Sequence, residues 1–169
     1  MQIEDILSCW QCIIKALMLL IIANGTPVLS RNILGSRFAW PIDFGLIVFD
    51  KRPLFGYSKT WRGLFVSMLV TGAVAPLFGL TAAQGAFFAL LVMLGDLAAS
   101  FTKRRLGYVE SSRFRIIDVL PESLLPVVIL RVYLGITAIE GFIVVALFFI
   151  FEAVLSPLLY RLHIRKRPY

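Results

Sequence analysis

The chain is poor in the side chains that many hydrolytic enzymes use for catalysis. Its 169 residues include a single histidine, His163, and only two cysteines, Cys9 and Cys12. A zinc site needs three or four ligands, and the histidine lies far from the C-x-x-C pair in sequence. We therefore interpret Cys9 and Cys12 as small apolar residues of a membrane helix, and zinc-dependent hydrolysis is poorly supported.

Two common catalytic motifs are also absent. The segment Gly56-Tyr57-Ser58-Lys59-Thr60 lacks the spacing of the G-x-x-x-x-G-K-[ST] loop and follows no predicted strand, and no G-x-S-x-G occurs. The sequence therefore predicts neither a P-loop nucleotide site nor a serine-dependent acyltransferase.

Charged residues are scarce, whereas apolar residues are abundant. Asp, Glu, Lys and Arg make up 16% of the chain, and hydrophobic residues make up 59%. A soluble domain of this composition would expose large apolar patches, so the natural solvent of the chain is a lipid bilayer. The net charge of +7 comes from short basic stretches beside apolar runs. We expect these stretches to meet lipid head groups and polyphosphate ligands, with no nucleic acid partner.

Five apolar segments are candidates for crossing the bilayer. They are residues 6–28, 64–80, 82–102, 119–136 and 141–160. We predict an all-α, polytopic membrane protein with five transmembrane helices in a single domain over residues 1–169.

The distribution of positive charge predicts the orientation of these helices. All but two of the 17 Lys and Arg residues lie in residues 31–62, 103–115 and 161–167. These segments share one side of the membrane if the N-terminus is outside, which predicts an N-out, C-in topology with two long cytoplasmic loops. The apolar residues 38–49 in the first loop are too few to span, so we expect an interfacial or re-entrant segment over the bundle.

One acid lies inside the third predicted span. An Asp at the centre of a membrane helix costs about 2.5–3.5 kcal/mol, so Asp96 requires an explanation. Asp96, Ser100 and Lys103 are spaced i, i+4, i+7 and share one helix face. The neighbouring Gly95 would allow backbone or ligand to approach closely. This pattern favours a metal or phosphate site, with a simple Asp96–Lys103 ion pair as the alternative.

Two further acids open the fourth predicted span. Asp118 and Glu122 are four residues apart, at a helix N-terminus whose dipole favours anions. Asp118 is predicted to be the N-cap, a role compatible with binding a Mg²⁺–phosphate complex. Basic residues flank these acids in both loops: Lys51, Arg52, Lys59 and Arg62 in the first, and Lys103, Arg104, Arg105, Arg113 and Arg115 in the second.

Any one of these cations is explained by topology alone, because such side chains reach the head groups from helix ends. Two basic clusters on the same side as two acidic positions indicate more. Acids that hold Mg²⁺ and cations that bind phosphate are the working parts of phosphoryl and nucleotidyl transfer.

Three other polar residues in the spans have structural or ligand-binding interpretations. The segment Asn24-Gly25-Thr26-Pro27 is expected to interrupt the first helix, and Asn24 either binds a ligand or caps its own chain. Lys15 and Glu152 are expected at similar depth, and we hypothesise a structural ion pair between them.

These motifs resemble a known enzyme family. Gly95-Asp96, Ser100, Lys103-Arg104, Gly107 and Asp118 are similar to the signature of the CTP-dependent phosphatidate cytidylyltransferases. Other segments resemble the archaeal branch of that family, the CDP-archaeol synthases. They are Asn24-Gly25-x-Pro27, Pro41-x-Asp43-x-Gly45, Asp50-x-Arg52-x-x-Gly56 and Lys59-Thr60-x-Arg62-Gly63. One position departs from the pattern, because Pro121 stands where a second acid is expected, three residues after Asp118, and Glu122 follows it.

The resemblance implies a five-helix fold and a reaction in which CMP passes from CTP to an isoprenoid ether lipid phosphate, with Mg²⁺. The lipid would be 2,3-di-O-geranylgeranylglyceryl phosphate, and the active site would face the cytoplasm from the cell membrane. Asp96, Asp118 and Lys103 would be catalytic. The metal ligands would be Asp96, Asp118 and Glu122, and the nucleotide site would contain Asn24, Lys59, Thr60, Arg62, Gly63, Ser100 and Arg104.

Two other activities are compatible with parts of the pattern. A CTP-dependent polyprenol kinase would use the same residue types but transfer the γ-phosphate. A small transporter for an anionic solute would instead show repeated halves and basic residues throughout the spans, and the sequence shows neither.

Overall fold

The computed structural model describes residues 9–109 and 114–161, with the side chains of all of these except residue 115 and residues 155–161. Five α-helices occur in this part of the chain: α1 (Trp10–Leu34), α2 (Trp61–Val74), α3 (Ala82–Arg105), α4 (Arg115–Leu134) and α5 (Ala138–Arg161). Extended pairing among the described residues is limited to two isolated bridges, Pro41 with Thr60 and Ile47 with Pro53. The all-α prediction is confirmed for this part of the chain.

Within the part of the chain that the structure describes, three segments are long and apolar enough to cross a membrane. They are α1, with a mean hydropathy of 2.0, α3, with 1.7, and Trp61–Phe78, with 1.4, which joins α2 to a short 3-10 turn. Acids lie within three of the helices: Asp96 in α3, Asp118 and Glu122 in α4, and Glu140 and Glu152 in α5. The crossing of the bilayer by all five helices therefore stays a prediction, as does the orientation.

Pro27 does not interrupt α1, contrary to the sequence expectation. Proline has no N–H, so the carbonyl of Ala23, four residues earlier, loses its helical partner. The structure supplies two replacements: Ser67 Oγ of α2 donates to that carbonyl at 2.7 Å, and Thr26 Oγ1 does so at 3.3 Å. With the freed carbonyl satisfied, α1 continues to Leu34.

A short turn links α2 to α3. Pro76 lies in the 3-10 turn Ala75–Phe78 that follows α2, and Gly79 ends it with a positive φ of 74°. Thr81 then caps α3 in a capping box with Gln84, each side chain bonding the other residue's backbone N–H. This turn brings α3 back antiparallel to α2.

Asp118 is not the N-cap of α4, because that helix begins three residues earlier, at Arg115. The carbonyl of Phe114 accepts from Asp118 N at 3.0 Å, so the first helical hydrogen bond already spans this residue. Asp118 Oδ2 accepts from Phe114 N at 3.2 Å, which still satisfies one free amide of the first turn.

The bundle has two ends of different character. The loop end comprises residues 35–60, the C-terminus of α3 and the N-terminus of α4. The hairpin end comprises the start of α1, the 3-10 turn and the turn between α4 and α5. Between them lies an apolar core that includes Leu20, Phe88, Val92, Leu134 and Phe148, all essentially inaccessible.

The hypothesised Lys15–Glu152 ion pair is wrong. Lys15 lines a cavity at the hairpin end with Leu77 and Phe78. Glu152 lies instead close enough to Glu122 for the two carboxylates to repel each other. Cys9 contacts Glu140, which fixes the offset of α1 against α5. Counted from this contact, Lys15 and Glu152 differ in depth by about 9 Å at 1.5 Å per residue.

Candidate active site

A close backbone contact between α3 and α4 creates the site at the loop end. A Cβ at Gly95 would lie 2.2 Å from the carbonyl oxygen of Pro121 and 2.6 Å from the amide nitrogen of Glu122, so no side chain fits there. Because Gly95 allows the two backbones to touch, the adjoining Asp96 meets the first turns of α4. The Pro121 that departs from the family pattern is thus part of this contact.

Asp96 is paired with a lysine from the first loop. Lys59 Nζ donates to Oδ1 at 2.6 Å and to Oδ2 at 2.5 Å, and each side chain is 22% exposed. The predicted alternative, an Asp96–Lys103 pair, is not formed. A residue 37 positions away in sequence is therefore the partner of this acid.

Lys103 instead pairs with Asp118 across the α3–α4 interface. Its Nζ lies 2.5 Å from Asp118 Oδ1. Glu122 is within hydrogen-bonding reach of the Asp96 carboxyl group. Two ion pairs, Lys59 with Asp96 and Lys103 with Asp118, therefore lie where the first loop, α3 and α4 meet, and Glu122 lies beside the first of them.

The surrounding carboxyl groups determine the charge state of Lys59. Burial disfavours the charged ammonium, but the attraction and hydrogen bonds of Asp96, with smaller contributions from Glu122 and Asp118, raise its pKa above the ordinary value of 10.5. Lys59 is consequently a fixed positive charge at physiological pH. A permanent cation beside several carboxylates is suited to binding an anionic ligand.

The first loop holds Lys59 in position through a buried acid. Asp43, only 6% exposed, accepts from Gly45 N with Oδ1 and from Phe55 N and Gly56 N with Oδ2, all at 2.9–3.0 Å. Burial raises the pKa of Asp43, but these backbone N–H bonds outweigh it and the pKa is lowered. Ile42 N also donates to the carbonyl of Lys59 at 2.8 Å, which ties the two ends of the loop together.

Two arginines join this loop to the C-terminus of α3. Arg52 Nη1 donates to the terminal carbonyls of Arg104 and Arg105, at 3.2 and 2.9 Å, where a cation also complements the helix dipole. Arg105 reciprocates, donating to Asp50 Oδ1 and to the carbonyl of Pro53, both at 2.6 Å. The loop that carries Lys59 and the helix that carries Lys103 thus form one unit.

Some residues of the predicted site lie beside this cluster. Ser100 and Arg104 are buried on α3, 3% and 4% exposed. Arg104 Nη2 donates to the carbonyl of Val109, while its buried Nε has no hydrogen-bond partner. Arg52, Arg104 and Tyr108 also line a cavity of about 260 Å³.

Four other predicted residues make structural contacts. Asn24 Nδ2 donates to its own helix at Leu20 O, and Thr60 caps α2 by accepting from Gly63 N. A Cβ at Gly63 would lie 3.3 Å from Pro27 Cβ, so this glycine allows close packing on α1. Arg62 donates to the carbonyls of Gly35 and Arg37. Their nucleotide-binding roles stay predictions.

Arg113, His163 and most of the basic tail lie outside the described residues.

The donor chemistry of the cluster fits Mg²⁺, which prefers carboxylate oxygens. Among residues 9–109 and 114–161, however, no three Asp, Glu, His or Cys side chains are grouped closely enough to hold a metal ion. Asp96 and Asp118 each face an ammonium group instead. A divalent cation would therefore have to take the place of these lysines.

Comparisons with known proteins agree on one family. The family described as CarS-like, CDP-archaeol synthase, matches residues 77–169. The CDP-archaeol synthase of Staphylothermus marinus is 30% identical over 140 residues, covering 79% of this chain and 74% of the relative. That of Sulfurisphaera tokodaii is 31% identical over 157 residues, covering 88% and 90%. The chain belongs to the CDP-archaeol synthase family.

A solved structure supports this membership at the level of the fold. It is described as an intramembrane enzyme for archaeal membrane lipid biosynthesis. It aligns with a TM-score of 0.69 and 27% identity, over 84% of this chain and 90% of its own. Since the Sulfurisphaera match extends over 88% of this chain, Lys59, Asp96 and Asp118 all lie within the part shared with a CDP-archaeol synthase.

Sequence reasoning did not foresee the contacts of several residues that build the site. Asp43 and Asp50 were noted only as positions in the family motifs, and Arg52 and Arg105 only as members of the two basic clusters. Asp43 offered one usable signal, since an acid followed two residues later by glycine is typical of a turn in which the carboxylate bonds the backbone.

Proposed function

We propose that this chain transfers CMP from CTP to the phosphate of an isoprenoid ether lipid and releases pyrophosphate. The lipid phosphate that fits the family best is 2,3-di-O-geranylgeranylglyceryl phosphate. The observation that carries the proposal is the convergence of Lys59 and Lys103 with Asp96 and Asp118 where the first loop, α3 and α4 meet. These are the residue types that position phosphates and offset their charge.

Asp96 and Asp118 would hold Mg²⁺, with Glu122 beside them as a third candidate ligand. When bound, the metal would neutralise phosphate charge. The carboxylates would then release Lys59 and Lys103, whose ammonium groups would turn to the phosphates of CTP. Arg104, with a buried and unpartnered Nε, would add a further positive charge on the same side.

In the proposed reaction an oxygen of the lipid phosphate attacks the α-phosphorus of CTP. A new P–O–P linkage forms, the bond between the α- and β-phosphates breaks, and pyrophosphate departs. A phosphate monoester has a second pKa of about 6 and is largely dianionic at pH 7, so its oxygen needs no general base. The absence of histidine from the described residues is compatible with this reaction.

The surroundings of the site fit a lipid substrate. Apolar helices flank the charged cluster, and the first loop exposes Phe38, Trp40, Phe44 and Phe49. Aromatic side chains favour the membrane interface, so the loop end would lie at the head-group level of the inner leaflet. The chain would be an integral protein of the cell membrane with five spans, N-out, and its site facing the cytoplasm.

The position of a label in CTP separates the proposed transferase from a kinase. Purified protein is incubated with Mg²⁺, with CTP labelled at either the α- or the γ-phosphate, and with either the lipid phosphate or a polyprenol whose free hydroxyl a kinase would phosphorylate. We expect label in the lipid only from α-labelled CTP, and label in pyrophosphate from γ-labelled CTP. Transfer of the γ-label to the lipid would instead support a CTP-dependent kinase and refute the proposal.

A further inference from the structure

The proposed chemistry makes no use of the hairpin end, where α1 begins with an unusual sequence. Cys9 and Cys12 form a disulfide there, which corrects their interpretation as apolar helix residues. Cys9 is the N-cap of α1, and its sulfur accepts from the backbone N–H of Cys12 at 3.3 Å. The C-x-x-C pair therefore lies directly on a helix N-terminus.

This disulfide is poorly placed to act as a structural staple. Disulfides stabilise by closing loops, and the effect is smallest for short loops such as this one, with two intervening residues. The same end is already fastened by Glu140, whose carboxylate accepts from the backbone N–H groups of Cys9 and Thr137. A disulfide within the same helical turn therefore adds little further stability.

The disulfide is also open to reagents. Both cysteines are partly exposed, and Cys12 lines a cavity of about 290 Å³. Its other lining residues are Gln11, Lys15, Leu77 and Phe78. Lys15 follows Cys12 by three residues and shares its helix face, so the same cavity is lined by a sulfur and a cationic side chain. A nearby cation and a helix N-terminus are the two features that stabilise a cysteine thiolate.

We propose that Cys9 and Cys12 form a thiol–disulfide exchange site for small thiol compounds that enter this cavity. An external thiolate attacks Sγ of Cys12, forming a mixed disulfide, and Cys9 leaves as a thiolate stabilised by the N–H of Cys12. A second external thiol then attacks the mixed disulfide and releases Cys12. The protein gains two electrons and two protons, and two external thiols become one disulfide.

Glutathione redox buffers test this site on the full-length protein in detergent. Free thiols are trapped with a maleimide after equilibration and counted by intact mass. We expect both cysteines to be reduced to free thiols together in the native protein as the ratio of reduced to oxidised glutathione rises. In Cys9→Ser we expect Cys12 to keep a glutathione adduct, and in Lys15→Met we expect exchange to slow several-fold at an unchanged melting temperature.

Three results would overturn the proposal. They are a disulfide that opens only in denaturant, two free thiols in protein purified under oxidising conditions, or an unchanged exchange rate in Lys15→Met. CMP transfer by Cys9→Ser should equal that of the wild type, because the proposed active site lies at the other end of the bundle. This readout keeps the exchange site and the proposed transferase separately testable.

Discussion

Both ends of the bundle contain carboxylates that are largely shielded from solvent, but these carboxylates have different kinds of partner. At the hairpin end Glu140 accepts hydrogen bonds from backbone N–H groups, which cannot move without unfolding. At the loop end Asp96 and Asp118 are paired with lysine side chains, which can rotate away. An acid held by backbone is committed to structure, whereas an acid held by a lysine remains exchangeable for a ligand.

The first loop takes part in both arrangements, because it contains an acid held by backbone and the lysine that pairs with Asp96. Asp43 is bonded by three backbone amides and organises the loop, and Lys59 at the end of that loop reaches across to Asp96. A rigid loop therefore carries Lys59, whose side chain can move. This division of roles is what a charge-stabilising active site requires, since its groups must be held in place before the reaction.

The largest expected effect is the loss of CMP transfer in Asp96→Asn and Asp118→Asn. Each change removes a charge that the proposed metal and phosphate chemistry needs, and we expect a fall of at least about 10²-fold, as for other charge-stabilising groups. The measurement is incorporation of α-label into lipid. Melting temperature serves as the control for folding. Turnover at the wild-type level in either variant would show that its acid is not part of the site.

A second large effect is expected from Gly95→Ala, because its methyl group would overlap the backbone of Pro121. We expect a loss of about 1–3 kcal/mol in stability from overpacking, together with a strong loss of activity as α3 and α4 separate. Gly25→Ala is the matched control, since nothing lies within 4 Å of a Cβ there. Equal behaviour of the two variants would contradict the importance of the α3–α4 contact.

Glu140→Ala should show the opposite pattern, with reduced stability and retained chemistry. It leaves the backbone N–H groups of Thr137 and Cys9 without their acceptor, which costs about 1–3 kcal/mol. Thermal unfolding in detergent measures the loss, and α-label transfer by the variant below its melting temperature measures the chemistry. A folded Glu140→Ala protein without activity would erase the distinction between the two ends.

The smallest effect concerns the pH dependence of the first loop. Because the pKa of Asp43 is lowered, its hydrogen bonds stabilise the loop fully above the ordinary value of 3.8. That stabilisation is lost as the pH falls through the lowered folded value. Hydrogen exchange at the amides of Phe55 and Gly56 should therefore lose protection only in acid. In Asp43→Asn protection should be weaker throughout and should lack this acid transition; an unchanged profile would refute the assignment.

Much of the architecture could be predicted from the sequence, because apolar run length and spacing act locally. The helical segments and the face shared by Asp96, Ser100 and Lys103 follow from such local rules. The continuation of α1 through Pro27 did not, since it depends on Ser67, a residue of another helix.

The partners of the charged residues in the site could not be predicted from local sequence patterns either. Spacing along α3 offered Lys103 as the alternative partner of Asp96. The contact at Gly95 instead brings α4 so close that Lys103 pairs with Asp118, and Lys59 of the first loop pairs with Asp96. The residue types of the site were readable from the chain. Their partners were set by packing between elements that are distant in sequence.

A structure of the chain determined with CTP and Mg²⁺ tests the central claim most directly. We predict that Asp96 and Asp118 bind the metal and that Lys59 and Lys103 have moved from these carboxylates to the phosphates. Continued pairing of both lysines with Asp96 and Asp118, with the nucleotide bound elsewhere, would contradict it.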